Sequence, residues 1–195
     1  MCTLILKETN EYYVHNSSTV FCTMLNATRA FDRVEYCRLF RLLIDRGLPL
    51  VVVRLLVNLY TNHITRIAWN GVLSSSFEMV NGVKQGEVLS PVILCVYIDG
   101  LLATLKDACI GCHIGSQFVG VLAYADDIVL LATTPDALRL MLKLCDHYAI
   151  NFNILFNASK SRCLIVRPRG MTCGNTSYFA NSEYFIGGRV IEIVD

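Results

Sequence analysis

Charge is sparse in this chain: 17% of its 195 residues are Asp, Glu, Lys or Arg, and seventeen basic against sixteen acidic residues leave a net charge of +1. That balance excludes the strongly basic profile of a free-standing nucleic-acid binder, so contact with a polynucleotide would need local patches or help from other segments. An uninterrupted apolar run long enough to span a bilayer is also lacking. The best candidate, Val88–Leu105, carries Ser90, Pro91, Asp99 and Gly100, and Leu48–Leu59 is broken by Arg54. Nor does the N-terminus show a positively charged start, an apolar stretch and a cleavage site, so no secretory signal is visible. The expectation is a soluble, intracellular chain, cytoplasmic or nuclear and not secreted, with no membrane partner.

Apolar residues, by contrast, are abundant: 54% of the chain, with a mean hydropathy of +0.47. Without a spanning segment, such a composition suits a core piece of something larger, with apolar surface meant for neighbours. The length is enough to bury a real core and points to one main domain. Nine cysteines is an odd number, and without a secretory signal they are expected to be reduced and mostly buried as small apolar residues. Cys109-Ile110-Gly111-Cys112-His113 matches the pattern of covalent haem attachment, but that reading needs an export route and a second axial ligand, and the chain advertises neither. One Cys-x-x-Cys pair also falls short of the four ligands of a zinc site. Arginines collect early, from Arg29 to Arg66, at spacings that suit a solvated helix face.

Along the chain, the segment to about Ser17 is polar and gives no clear period. Ser18–Asn26 is rich in β-branched and apolar residues and reads as a buried strand. Apolar residues within Glu35–Arg46 recur at three and four, as in an amphipathic helix stopped by Gly47; Pro49 opens a second helix to about Tyr60. Asn70-Gly71 marks a hairpin between Ile64–Trp69 and Val72–Val80. Leu89–Leu105 reads as a long buried helix, Pro135 starts another through Tyr148, and strands are expected at Ile154–Asn157 and Cys163–Arg167. A Gly187-Gly188 turn lies near the end. This order suggests an α+β sandwich in which helices cover one face of an antiparallel sheet.

The stretch LAYADDIVLL, Leu122–Leu131, places Asp126 and Asp127 together in an apolar run. It reads as two buried strands joined by a short polar tip. A buried, unpaired carboxylate is costly and is normally protonated, paired or bound to a metal. The plain alternative is a hairpin whose turn happens to be acidic. In a ferredoxin-like arrangement the first strand lies beside this hairpin, which would bring Asn26 close to both carboxylates.

Five segments in order, MLNATRAFDRVEY, GVKQGEVLSP, LAYADDIVLL, FNASKSRCLIV and YFIGG, resemble the reverse transcriptases of non-LTR (long interspersed element-type) retrotransposons. The resemblance runs from about Ser18 to about Val190. It implies a polymerase palm with a ferredoxin-like sheet, partial fingers and no complete thumb: residues 1–17 would be a remnant of an upstream fingers segment and residues 18–195 the palm and fingers domain. It further implies RNA-directed DNA synthesis from deoxynucleotides, with an RNA template and a DNA primer as partners and two Mg²⁺ or Mn²⁺ ions as cofactors. Hard cations of this kind require oxygen ligands, so carboxylates from different elements must converge at one point.

By resemblance, Asp126 and Asp127 take the metal-holding places of the hairpin, and Tyr124 belongs to the same motif on the nucleotide side. The family motif has aspartate where this chain has Asn26. An amide oxygen carries no charge and bridges two ions poorly, so this copy is expected to be impaired. Phe31 matches the aromatic position beneath the incoming sugar, where a ring would exclude a 2′-hydroxyl. Gln85 and Gly86 match the template and nucleotide loop, with the acidic Glu87 a departure beside it. Lys160 matches a lysine that meets the triphosphate, and Phe185, Ile186 and Gly187 match the turn that supports the primer end.

Full basic fingers, thumb helices, an endonuclease and an RNase H segment are not visible in the sequence; a partner chain or further segments could supply what the palm needs. A second reading is therefore a catalytically inactive remnant that serves at most as a nucleic-acid or protein binding module.

Overall fold

A computed structural model describes residues 2–62, 64–168 and 183–194. In chain order its main elements are α1 (Cys2–His15), β1 (Val20–Asn26), α2 (Tyr36–Asp45), α3 (Leu50–Thr61), α4 (Ser90–Asp107), β2 (Val121–Tyr124), β3 (Asp127–Ala132), α5 (Pro135–Asn151), β4 (Arg162–Val166) and β5 (Glu192–Val194). Short two-residue ladders lie between them. The chain divides into two units, one formed by Met1–Thr28 with Asp99–Asp195 and the other by Arg29–Ile98.

The first unit is built on a five-stranded sheet of order β5-β4-β1-β3-β2. β1 is its centre and runs antiparallel to both neighbours; β5 alone is parallel to its partner, β4. Directly paired residues share a face. Phe21 opposite Ala132, Thr23 opposite Leu130 and Leu25 opposite Ile128 therefore make one face, and every one of them is buried. Cys22 opposite Leu131 and Asn26 opposite Asp127 belong to the other.

That second face is covered by α1, whose Leu6 and Tyr13 pack on Val20, Cys22, Cys112 and Leu131. The helix corrects the expectation of an opening segment without period. Its inward stripe is Cys2, Leu6, Thr9 and Tyr13, at heptad spacing. Two of these four are not plainly apolar, so an apolar count passes over a stripe in which Thr9 is fully buried. Helices therefore cover both faces of the sheet, because α1 supplies a lid that the sequence reading omitted.

α5 starts as its sequence prescribes: Thr134 caps it by accepting from the Ala137 N–H at 3.2 Å, and Pro135 follows. Its stripe Leu138, Met141, Leu142, Cys145 and Tyr148 is buried, and it packs on β3 and on the Phe185–Ile186 ladder. The expected strand at Ile154–Asn157 reduces to a single bridge between Ala27 and Phe156. β1 offers no more, since the chain turns away at Arg29, whose φ is +50°.

In the second unit, α2 ends at Gly47 in a double carbonyl cap: Gly47 N–H donates to Ile44 O and Leu48 N–H to Leu43 O. The Asn70-Gly71 hairpin forms, with positive φ at both residues. Its ladders are short, Ala68–Trp69 with Val72–Leu73 and Ile64–Thr65 with Phe77–Glu78, and their apolar side chains are exposed. α4 begins in this unit and ends in the other. Among the described residues no helix is long and apolar enough to cross a membrane.

Candidate active site at the end of the central strands

The acidic hairpin is closed by the pair Tyr124 and Asp127, which leaves Ala125 and Asp126 as a two-residue loop. Such loops require a positive φ at their first residue, and Ala125 adopts +54°. For an L-residue with a Cβ this costs about 1–2 kcal/mol. The surrounding sheet holds the conformation in place. Asp126 is half-buried, while Asp127 and Tyr124 are exposed. This corrects the sequence picture of two buried strands around sunken carboxylates: β3 buries most of its length, β2 is only half-buried, and Asp127 stands in solvent at the tip.

Asn26 stands directly opposite Asp127, as the strand order predicts. Its Nδ2 donates to Asp127 Oδ1 over 3.5 Å, the long limit of a hydrogen bond. Three further bonds fix the strand end. Asn26 N–H donates to Ser161 Oγ at 3.2 Å, Ser161 Oγ donates to Asn157 O at 2.8 Å, and Asn157 N–H donates to Asn26 O at 2.8 Å. Ser161 is fully buried. Sequence reasoning missed it, because one serine after a lysine carries no signal until the fold closes this ring. Lys160 is exposed in the same turn, its N–H donating to Asn157 O at 3.1 Å.

Phe31, Gln85 and Gly86 belong to the second unit. Phe31 is half-buried in a short 3-10 turn, and its carbonyl accepts from Val83 N–H at 2.8 Å. Gly82 lies tight against that turn: a Cβ there would meet the Asp32 backbone at 3.0 Å, and its φ is +88°. Phe31 and the exposed Gln85-Gly86 loop are thus tied together within their unit. Glu87 forms an ion pair with Lys84 at 3.4 Å.

Within the turn expected to support a primer, Phe185 and Gly187 are exposed but Ile186 is buried, so Ile186 belongs to the core. Gly187 N–H donates to Asp146 Oδ1 of α5 at 2.8 Å. The two cysteines of the haem-like motif differ, Cys109 being exposed and Cys112 buried. Cys112 is sealed beside Val20 and Cys22, and burial pushes its thiol up to about 12. Tyr13 Oη donates to His113 O at 2.6 Å and accepts from His113 N–H at 2.8 Å, which ties α1 to the motif.

The family model for reverse transcriptase (RNA-dependent DNA polymerase) matches residues 4–178. The chain belongs to the reverse transcriptase family. The match begins before Ser18 and takes in most of α1, and it stops short of Phe185–Gly187. Among curated relatives, the Pol polyprotein of the type-2 retrotransposable element R2DM of Drosophila melanogaster is 28% identical over 96% of this chain and 17% of its own length. That of a type-1 element R2 of Nasonia vitripennis is 31% identical over 62% of this chain and 12% of its own. This chain is thus a reverse transcriptase domain of the non-LTR retrotransposon kind, and it spans about a sixth of the length of the Drosophila relative. A telomerase from Candida Tropicalis, solved with a fragment of telomeric RNA, superposes with a TM-score of 0.65 over 84% of this chain and 29% of its own, at 10% identity. A second telomerase structure from that organism, in the apo state, gives 0.61 over 88% of this chain and 32% of its own, at 12% identity. These likenesses carry the fold.

In this reverse transcriptase domain the strand end gathers two carboxylates and one amide. Among the described residues no three acidic, histidine or cysteine side chains converge. A pair of divalent ions would lack a third negative donor here, and the Asn26 amide turns an N–H toward Asp127. The donor set therefore does not fit two ions.

Proposed function

We propose that the strand end at Asn26, Asp126 and Asp127 is the site at which this domain's lineage joins deoxynucleotides to a primer along an RNA template, and that Asn26 leaves this copy impaired. The observation that carries the reading is the register of β1 against β3, which sets Asn26 beside Asp127. Mg²⁺ or Mn²⁺, held by Asp126 and Asp127, would supply Lewis acidity toward the primer hydroxyl and the triphosphate. The chain's own residues do the rest. Ser161 and Asn157 fix the strand end that carries Asn26, and Lys160 offers an ammonium from the same turn to a triphosphate. In the second unit, Phe31 offers its ring to a sugar and the Gln85-Gly86 loop offers open backbone to a template base. Phe185 and Gly187 offer a turn to the primer end. Replacing a carboxylate by an amide removes charge that would gather cations and stabilise the transition state. Activity in a cell places the domain in the cytoplasm or nucleus, where RNA and deoxynucleotides meet.

Primer extension on an RNA template with Mg²⁺ or Mn²⁺ tests the reading. The Asn26→Asp form is expected to extend and the natural chain to extend at least tenfold less, an effect on the order of 1.4 kcal/mol in the barrier. Silence from both would favour the second reading, a binding module without catalysis. Equal activity would remove Asn26 from the account.

A further inference from the structure

β2 is an outer strand of the five-stranded sheet and pairs on one side only, with β3. Leu131 N–H donates to Gly120 O at 2.8 Å, which fixes the phase of the ladder. Leu122 and Tyr124 therefore turn their backbone groups toward β3, and Val121 and Ala123 turn theirs outward. Among the described residues, the contact on that outer row is the Cys2 thiol, 3.6 Å from Ala123 O, and a thiol is a weak donor. Val121-Leu122-Ala123-Tyr124 carries neither a charge nor a proline to blunt the edge. Backbone groups in such a row are a template for a further strand.

A cleft flanks this edge on each face of the sheet. Leu122 pairs with Val129 on the face that α1 covers, where a cleft of about 130 Å³ has Cys2, Leu6, Leu122 and Val129 in its wall, with Asp127 as a charged member. Val121 pairs with Leu130 on the opposite face, where a cleft of about 700 Å³ is bounded by Leu102, Lys106, His113 and Phe118. The His113 and Phe118 rings meet edge-on, with centroids 5.2 Å apart. Asp99 also lines this cleft, but it precedes Lys106 by seven residues of α4 and so stands roughly 10 Å from it along the helix axis. Successive side chains of an added strand point to alternate faces. One would enter the apolar cleft, and the next the cleft that holds Lys106 and His113.

We propose that β2 takes up an extended peptide segment of a partner protein as a sixth, antiparallel strand, with an acidic residue opposite Val121, an apolar one opposite Leu122 and a small one opposite Ala123. The acidic side chain complements Lys106 and His113, and the apolar one meets Leu6 and Val129. Antiparallel pairing lets Val121 and Ala123 each exchange two backbone bonds with the residue opposite. The surface is separate from the Asn26 site and does not depend on the reading given to it.

Fluorescence anisotropy of a labelled, terminally blocked peptide, Thr-Thr-Ser-Leu-Asp-Thr-Thr, titrated with the full chain, tests it. Saturable binding is expected. N-methylation of the peptide's Ser or Asp, whose N–H groups would face β2, should weaken binding about tenfold, whereas N-methylation of its Leu, whose N–H would face away, should leave it within about twofold. Lys106→Glu should weaken binding about fivefold, and a peptide with Lys in place of Asp should recover it. Thermal melts check that the variant is folded. Absence of binding overturns the proposal, and so does an equal response to N-methylation at all three positions. Unchanged affinity in Lys106→Glu overturns the acidic assignment. Sedimentation that shows a dimer of this chain, lost in Ala123→Pro, would give the edge to a second copy and overturn the peptide partner; proline at an outward position of an edge strand is compatible with the fold.

Discussion

Two hairpins in this molecule are built on opposite terms. The one at Asn70-Gly71 has the turn residues that its backbone requires, with φ of +49° and +76°, yet it caps a ladder of two residue pairs and leaves Trp69 79% and Val72 70% exposed. The one at Ala125-Asp126 has an unsuitable residue, alanine at +54°, yet it is the end of a five-stranded sheet whose strands pair over most of their length. Local chemistry makes the first hairpin and long-range register makes the second. The acidic pair occurs where tertiary structure overrules local preference.

Core truncation separates the two regions most strongly. Leu25→Ala, at a residue 1% exposed opposite Ile128, should cost about 2–5 kcal/mol in urea denaturation, whereas Val72→Ala should stay within about 0.5 kcal/mol. A large loss at Val72 would mean that the second hairpin is buried in solution and would break the comparison.

Alkaline pH should act on the sheet unit through its thiols. Burial pushes Cys22 up to about 11 and Cys112 and Cys145 up to about 12, from an ordinary 9.0. A raised thiol pKa in the folded chain means that the unfolded chain loses its proton first. Stability is therefore full below pH 9 and falls as pH rises from 9 toward 11 or 12, by up to about 1.4 kcal/mol per pH unit for each thiol. Melting temperatures from pH 7 to 10.5 should show this decline, and Cys112→Ala should make it shallower; a flat profile would mean that these thiols are open to water.

Smaller effects sharpen the picture at the turns. Ser161→Ala, which removes the hydroxyl that joins Asn26 to Asn157, should cost about 1–2 kcal/mol. Ala125→Gly should gain about 1 kcal/mol by relieving the positive φ, while Gly71→Ala should lose about as much. Equal signs at the two turns would contradict the claim that one is locally favoured and the other imposed.

Much of this was legible in the residues because it depends on local period and punctuation. β1, α2 to α5 and both hairpins follow from apolar spacing, Pro49, Pro135 and the glycine turns, and the five ordered motifs led to the family. The adjacency of Asn26 and Asp127 followed from topology. What escaped depends on closure. α1 hid because Cys2 and Thr9 occupy its inward stripe, Ser161 because a lone hydroxyl gains meaning only when three segments meet, and the solvation of Asp127 because an apolar run does not say which end of a strand leaves the core. The strand assigned to Ile154–Asn157 failed because a β-propensity run needs a partner edge, and β1 ends too soon to offer one.

The central claim is that this site is one carboxylate short. Mn²⁺ titration of the natural chain and of Asn26→Asp, followed by the loss of the free-ion electron paramagnetic resonance signal, tests it most directly. The account predicts at least tenfold tighter binding or an added ion in the aspartate form, with both lost in Asp127→Asn. Identical isotherms for the natural chain and for Asn26→Asp would contradict it.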